Sequence, residues 1–331
     1  MDVPSGTGPR LHWATEWPSR QLLAALATRD VVNAPEAVET PLAEQRGRPS
    51  ILPVRRELAP ESRRIRRDSG ASSDAVPESL PEPMLEVRGL EAHYGKVQVL
   101  YEVDLDVYPG EIVALLGTNG AGKSTILKAI SGLVRPSRGR VSFEGRDITR
   151  LAPEQTVRAG VAQVPGGRGV FPTLTVEENL TIGGFSRRRN DPEVRETLAR
   201  VLDYFPRLAE RRTQAAGTLS GGEQQMLAIG RSLLSRPKLL MIDEMSLGLA
   251  PIVVQQLVEI VDRLHREEDI TLLIVEQHAT FALSFTHRAY FLEKGEVRFA
   301  GPSGEMAERD DLLRSVFLAG AAASLEGVVD Q

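Results

Sequence analysis

Gly117-Thr118-Asn119-Gly120-Ala121-Gly122-Lys123-Ser124 is the stretch on which the reading of this chain turns. It fits G-x-x-x-x-G-K-[ST], a phosphate-binding loop whose meaning depends on its lying between a strand and a helix. Both flanks are in place. Glu111 to Leu116 is a short apolar run of the kind a buried parallel strand requires. Thr125 to Leu133 sets Ile126, Leu127 and Ile130 at helical spacing. The glycines let backbone N–H groups approach phosphate oxygens with no Cβ in the way. The helix N-terminus adds a partial positive charge at the same spot. On this reading Lys123 reaches the β- and γ-phosphates, and the Ser124 hydroxyl ligates Mg²⁺. The competing reading is a glycine-rich turn that matches by chance, and the flanking strand and helix count against it.

Upstream of the loop, Leu85 to Leu90 alternates like a half-exposed strand. A second strand is expected at Val97 to Leu100 and a third at Val103 to Val107, so an antiparallel sheet should precede the loop. Tyr94, between the first two, either stacks on a nucleotide base or is an ordinary half-buried strand aromatic. Residues 1–83 are different in kind. Prolines recur from Pro4 to Pro83, lysine is absent, and Arg55, Arg56, Arg63, Arg64, Arg66 and Arg67 form a basic cluster offset by scattered acids. Such a composition buries too little apolar surface to offset its ordering entropy, so a disordered extension is expected. The arginines fit a solvated linker better than a phosphate or membrane contact. Met84 opens the ordered pattern and is a second candidate for the natural start.

Downstream, Arg140 to Phe143 and Gly145 to Ile148 read as a strand and turn, and Gly160 to Val164 as a strand ended by Pro165-Gly166-Gly167. Gln163, within that strand, is expected to face the sheet. Thr175 to Leu180 and Pro192 to Phe205 read as helices separated by the basic turn Arg187-Arg188-Arg189, which gives a helical insertion over about residues 166–232. Ser220 is placed to cap the next helix, and Gly221-Gly222 leave its first amides sterically open, a second helix start suited to phosphate. Leu239 to Ile242 is continuously apolar and ends in Asp243-Glu244. A strand buried on both faces delivers the groups at its end to a crevice. Asp243 would hold Mg²⁺ directly or through water, and Glu244 would act as general base on a water molecule. Pro251 starts a further helix, and Thr271 to Val275 is another buried strand, followed by Glu276-Gln277-His278.

The 331 residues allow one large domain or two small ones. A net charge of −5 argues against nucleic acid as the main partner. Cysteine is absent, which removes disulfides and thiolate metal sites and fits a cytoplasmic protein. No apolar run approaches the roughly 20 residues that span a bilayer, so membrane contact is expected to pass through a partner.

Taken in order, residues from about Leu85 to Gly320 resemble an ATPase subunit of an ABC transporter. The loop resembles that family's Walker A motif, Leu239 to Glu244 its Walker B, Leu219 to Gln225 its signature motif, and Ser246 to Leu249 its D-loop. Within the family, Ala92 to Lys96, Gly217 to Arg231 and Ser246 to Pro251 are most similar to the ATPase subunits of branched-chain amino-acid importers. The resemblance implies an α/β fold: a P-loop core with a mostly parallel sheet, an antiparallel β subdomain and an inserted helical subdomain. It implies one ATPase domain over 84–320 and a tail at 321–331.

The resemblance further implies ATP and Mg²⁺ as cofactors. ATP would be bound by Tyr94 on the adenine, by Gly117, Thr118, Asn119, Gly120, Ala121, Gly122, Lys123, Ser124 and Thr125, and by Ser220, Gly221 and Gly222 of a second subunit. The partners would be that second ATPase subunit, alike or different, and transmembrane permease subunits, with a substrate-binding protein engaged indirectly and no nucleic acid. The chain would sit in the cytoplasm against the inner face of the membrane. Three positions depart from the family pattern. Gly166 stands where Gln or Glu usually faces the metal, Met245 replaces a proline, and the switch position falls on Gln277 with His278 one place late. Two alternatives stay open: a soluble ABC ATPase acting on nucleic acid or ribosomes, and a catalytically weakened partner subunit. Deleting residues 1–83 is expected to leave thermal stability and ATPase activity nearly unchanged. A large loss of both would show that the segment packs on the ATPase domain.

Overall fold

The computed structural model describes residues 82–167, 169–186 and 192–309. Residues 1–81 and 310–331, and with them the extension and tail, lie outside the described residues, as does the basic turn Arg187-Arg188-Arg189. In chain order, β1 (Leu85–Tyr94), β2 (Val97–Val107) and β3 (Ile112–Gly117) lead into α1 (Lys123–Ile130). Next come β4 (Arg138–Phe143), β5 (Arg146–Asp147), α2 (Pro153–Ala159) and β6 (Val161–Val164). The insertion holds α3 (Val176–Gly183), α4 (Pro192–Tyr204), α5 (Pro206–Ala209) and α6 (Gly221–Leu233). Then β7 (Leu239–Asp243), α7 (Pro251–Glu268), β8 (Thr271–Glu276), α8 (Ala279–Leu283), β9 (Arg288–Glu293), β10 (Glu296–Pro302) and α9 (Ser303–Ala307) complete the described chain.

Six strands form the central sheet in the order β10-β9-β3-β8-β7-β6, parallel throughout except for β10. Every residue of β3, β7 and β8 is buried. The two faces are separated by the period of two that a strand imposes. Leu239, Met241, Leu273 and Val275 pack with α1 and the inner face of a second sheet, of order β2-β1-β4-β5 and antiparallel. Leu240, Ile242, Leu272 and Ile274 pack on the opposite face against the helical insertion and α7. The expected architecture of parallel core, antiparallel subdomain and inserted helices is therefore present.

Three local expectations are corrected. The segments at 97–100 and 103–107 form one strand, because a bulge at Glu102 (φ 45°) lets Leu90 pair Val103 and Ala92 pair Leu100. The bulge resets the alternation so that Leu100 and Val103 are both buried, and that change of parity reads in sequence as a break. Helix α1 stops at Ile130 rather than Leu133, since Gly132 takes a left-handed φ of 75°. Helix α2 was not foreseen: it starts on Pro153 but buries only Thr156, so its sequence carries almost no apolar period.

The insertion is held by α6, whose Leu227, Ile229 and Leu233 join Leu180, Val201 and Phe205 in one core. Helix α3 approaches it so closely that a Cβ on Gly183 would lie 2.0 Å from the Arg231 carbonyl oxygen. Gly183→Ala is therefore expected to destabilise the protein by about 1–3 kcal/mol in denaturant unfolding, as overpacking does. A neutral change would mean that the two helices do not meet at this distance.

Candidate nucleotide site

The loop after β3 takes its shape from positions that exclude a side chain. Gly117 has φ 153°, and a Cβ there would lie 2.1 Å from the Leu292 carbonyl oxygen of β9. Gly122, the residue before α1, has φ 106° and would put a Cβ 2.6 Å from Leu100 Cδ2. The loop is thus clamped between β9 and the antiparallel sheet. A cleft of about 190 Å³ opens on it, lined by Val99, the run from Asn119 to Thr125, and Glu244. Lys123 is buried, and its Nζ donates to the carbonyls of Gly117 at 2.7 Å and Thr118 at 2.9 Å. Burial lowers its pKa, while Glu244, Asp243 and Glu276 act in the opposite direction. The ammonium is therefore held in a partly dehydrated place with acids around it, where phosphate oxygens can compete for it.

The carboxylates expected at the end of β7 are beside the loop. Asp243 is 6 % exposed, and burial raises its pKa, opposed by a hydrogen bond with the Ser124 side chain. Its Oδ1 is buried with no hydrogen-bond partner. An orphaned carboxylate oxygen next to a serine hydroxyl is a donor pair suited to a small hard cation that completes its shell with water and phosphate. The residues present fit such an ion. Glu244 sits at a left-handed φ of 50°, its N–H donating to the Val275 carbonyl at 2.9 Å. That conformation is uncommon for a residue with a side chain and aims the carboxylate into the cleft.

Gln277 and His278 part company. The Gln277 amide donates to Glu244 Oε1, whereas His278 is exposed at the start of α8. Gly166 lies where a side chain would enter the site, since a Cβ there would be 3.6 Å from both Glu244 Oε2 and the Asp243 carbonyl oxygen. Gln163 turns away, its Oε1 accepting from Ser131 Oγ at 2.6 Å beyond the far end of α1.

Other expected residues are not brought to the cleft. Ser220 caps α6, its Oγ accepting from Glu223 N at 3.3 Å while Glu223 Oε2 accepts from Ser220 N at 3.0 Å. A Cβ on Gly222 would lie 2.4 Å from Val253 Cγ1, so that glycine lets α6 pack on α7. None of Ser220, Gly221 and Gly222 lines the cleft of its own chain. Tyr94 is 48 % exposed at the end of β1 and does not line the cleft either; Val99 of the same hairpin does. Val99 was unforeseen and carries no signal beyond an apolar residue in a strand. Glu276, at the end of β8, is a further residue near the site: it accepts from Ser246 N at 2.9 Å and from Ser246 Oγ at 2.8 Å. An acid ending a continuous apolar strand is the signal that marked Asp243-Glu244, and it applies to Glu276 equally.

A glycine loop on a helix start, with lysine, serine and two acids converging at one sheet edge, defines a P-loop nucleotide-binding protein. The ABC transporter family model matches residues 100–246. The chain is 50 % identical over 214 residues to the high-affinity branched-chain amino acid transport ATP-binding protein BraG of Pseudomonas aeruginosa, covering 65 % of this chain and 91 % of that one. It is 38 % identical over 227 residues to the branched-chain amino acid transport ATP-binding protein LivF of Archaeoglobus fulgidus, covering 69 % and 95 %. A crystal structure of the ADP conformation of an ABC-transporter ATP-binding cassette superposes with a TM-score of 0.65 at 26 % identity, over 72 % of this chain and 99 % of that one. The chain belongs to the ABC transporter family, as an ATP-binding and ATP-hydrolysing subunit.

Two comparisons of variants follow from this geometry. Glu244→Gln is expected to keep ATP binding while hydrolysis falls by roughly 10²–10⁴-fold. Gln277→Ala should lower turnover and His278→Ala should not, because the amide touches Glu244 and the imidazole does not. Steady-state phosphate release measures all three, and a larger effect at His278 than at Gln277 would reverse the assignment.

Proposed function

We propose that this subunit powers uptake of branched-chain or related amino acids, working as a pair of ATPase subunits attached to membrane-spanning partners. One observation carries the paired arrangement. The cleft gathers the loop, Ser124 and Glu244, with Asp243 bonded to Ser124, while the open helix start at Ser220-Gly221 lies outside it. A triphosphate on one copy would keep one side uncovered, and the same helix start on a second copy supplies what is missing. Two helix N-termini facing one triphosphate neutralise its charge better than one. The substrate class is supported by the names of the relatives from Pseudomonas aeruginosa and Archaeoglobus fulgidus. Among the described residues no helix is long and apolar enough to cross a membrane. Attachment to the inner face of the cell membrane would run through the permease subunits, which, with a binding protein, select the substrate.

In the cleft, Lys123 would exchange the carbonyls of Gly117 and Thr118 for β- and γ-phosphate oxygens, and the loop amides would hold the remainder. Tyr94, exposed on the hairpin, would lie against the adenine. Ser124 and Asp243 would hold Mg²⁺, which neutralises phosphate charge when bound. Glu244 then takes a proton from water as the water oxygen bonds to the γ-phosphorus. The bond between that phosphorus and the bridging oxygen breaks, and its electrons leave with ADP. Gln277 keeps the Glu244 carboxylate turned into the cleft. Closing on ATP and reopening after hydrolysis would drive alternating access in the membrane partner.

Gly221→Asp should set a carboxylate against the γ-phosphate of the opposing copy. In the Glu244→Gln background, ATP is expected to produce a dimer by size-exclusion chromatography, and Gly221→Asp to abolish it. An unchanged dimer would mean that α6 does not cover the nucleotide.

A further inference from the structure

The last residues of β8 and Gln277 just after them dictate the loop that follows β7, one group after another. Val275 O accepts from the Glu244 N–H, the Glu276 carboxylate accepts from both donors of Ser246, and the Gln277 amide donates to the Glu244 carboxylate. Between the two anchored residues, Met245 is completely buried. Glu276 is 1 % exposed and spends each of its oxygens on a different atom of Ser246, Oε1 on the N–H and Oε2 on the hydroxyl. We propose that Glu276 is a positioning residue: its two bonds to Ser246 fix the loop from Glu244 onward, so that Glu244 keeps its left-handed backbone and stays aimed at the phosphate loop.

The carboxylate is buried at a cost and satisfies two buried donors in return. Burial pushes Glu276 up to about 7, opposed by its hydrogen bonds from Ser246, and Glu244 nearby pushes the same way as burial. An apolar side chain at 276 would remove the cost of burying the acid, but it would leave the buried Ser246 N–H and hydroxyl without an acceptor, which itself costs stability. What an apolar residue cannot do is hold the Ser246 N–H and hydroxyl in one geometry. Glu244 lies two residues from Ser246, with a buried Met245 between them, so slack at Ser246 is passed to the Glu244 backbone. Catalysis is sensitive to such slack, since a displacement of about 1 Å can cost ~10²-fold.

The proposal rests on Glu244 as the general base, and the test separates the two claims. Glutamine at 276 can replace both bonds: its carbonyl oxygen accepts from the Ser246 N–H, and its amide donates to the Ser246 hydroxyl, whose lone pairs are free to accept. Glu276→Gln is therefore expected to keep kcat within about threefold. Glu276→Leu should lose about 10- to 100-fold in kcat, with the KM for MgATP within about threefold and a lowered melting temperature, because the Ser246 N–H and hydroxyl lose their acceptor. Ser246→Ala, which removes one of the two bonds without touching the strand, should lower kcat in the same direction. The double variant Glu276→Leu with Ser246→Ala should fall no further than Glu276→Leu alone, because both changes remove one contact. Near-normal kcat in Glu276→Leu, or equal losses of kcat and stability in the Gln and Leu variants, would overturn the positioning role while leaving Glu244 in place. Undiminished turnover in Glu244→Gln would remove the base itself, and with it the object that Glu276 is proposed to position.

Discussion

The fold depends on strands β3, β7 and β8 being buried on both faces. Sheet and α1 cover one side, helices the other, so polar groups in these strands have nowhere to go but the ends. At the carboxyl ends the chain emerges as the glycine loop, as Asp243-Glu244 and as Glu276-Gln277. Hydrogen-bonded register then does the assembly. Leu116 is level with Glu276, and Asp243 with Val275, so residues far apart in sequence reach the edge together. The apolar core is in this sense what builds the polar site.

That placement has an electrostatic consequence. Lys123, Asp243 and Glu276 are all at least nine-tenths out of water, and burial works against the charged form of each. The ammonium rests on backbone carbonyls, one oxygen of Asp243 has no partner, and Glu276 is satisfied by Ser246. The first two are groups that gain by meeting a phosphate and a cation; the third is already satisfied and acts on its neighbours. A site whose charges are incompletely satisfied is arranged to favour its ligand.

The sequence showed this unevenly, for physical reasons. The loop was legible because its function needs particular residues at fixed local spacing, and Gly117 and Gly122 prove to be positions where a Cβ would collide. The carboxylates of β7 were legible from the apolar run before them. The bulge at Glu102 was not, because a parity change looks like the end of a strand. Neither was the choice between Gln277 and His278: adjacent residues differ in direction, and only the turn from β8 into α8 decides which of them meets Glu244. The bond from Glu276 to Ser246 spans 30 residues of sequence and depends on β7 and β8 being neighbours. Contacts made by sheet order are invisible to local pattern.

The proposal that a second copy covers the phosphates can be tested without a transporter. Lys123→Ala spoils the loop of a subunit and leaves its α6 start intact; Gly221→Asp spoils the α6 start and leaves the loop intact. Each variant alone places a defect in both sites of a pair. A mixed pair contains one site with an intact loop facing an intact α6 start, and the introduced carboxylate then faces the loop that has lost its lysine. ATP hydrolysis measured across mixing ratios of the two inactive proteins is the direct measurement. The account predicts activity that is absent at either end and rises to a maximum near equal amounts. Hydrolysis that stays at the level of the separate variants at every ratio would contradict a site shared between two copies.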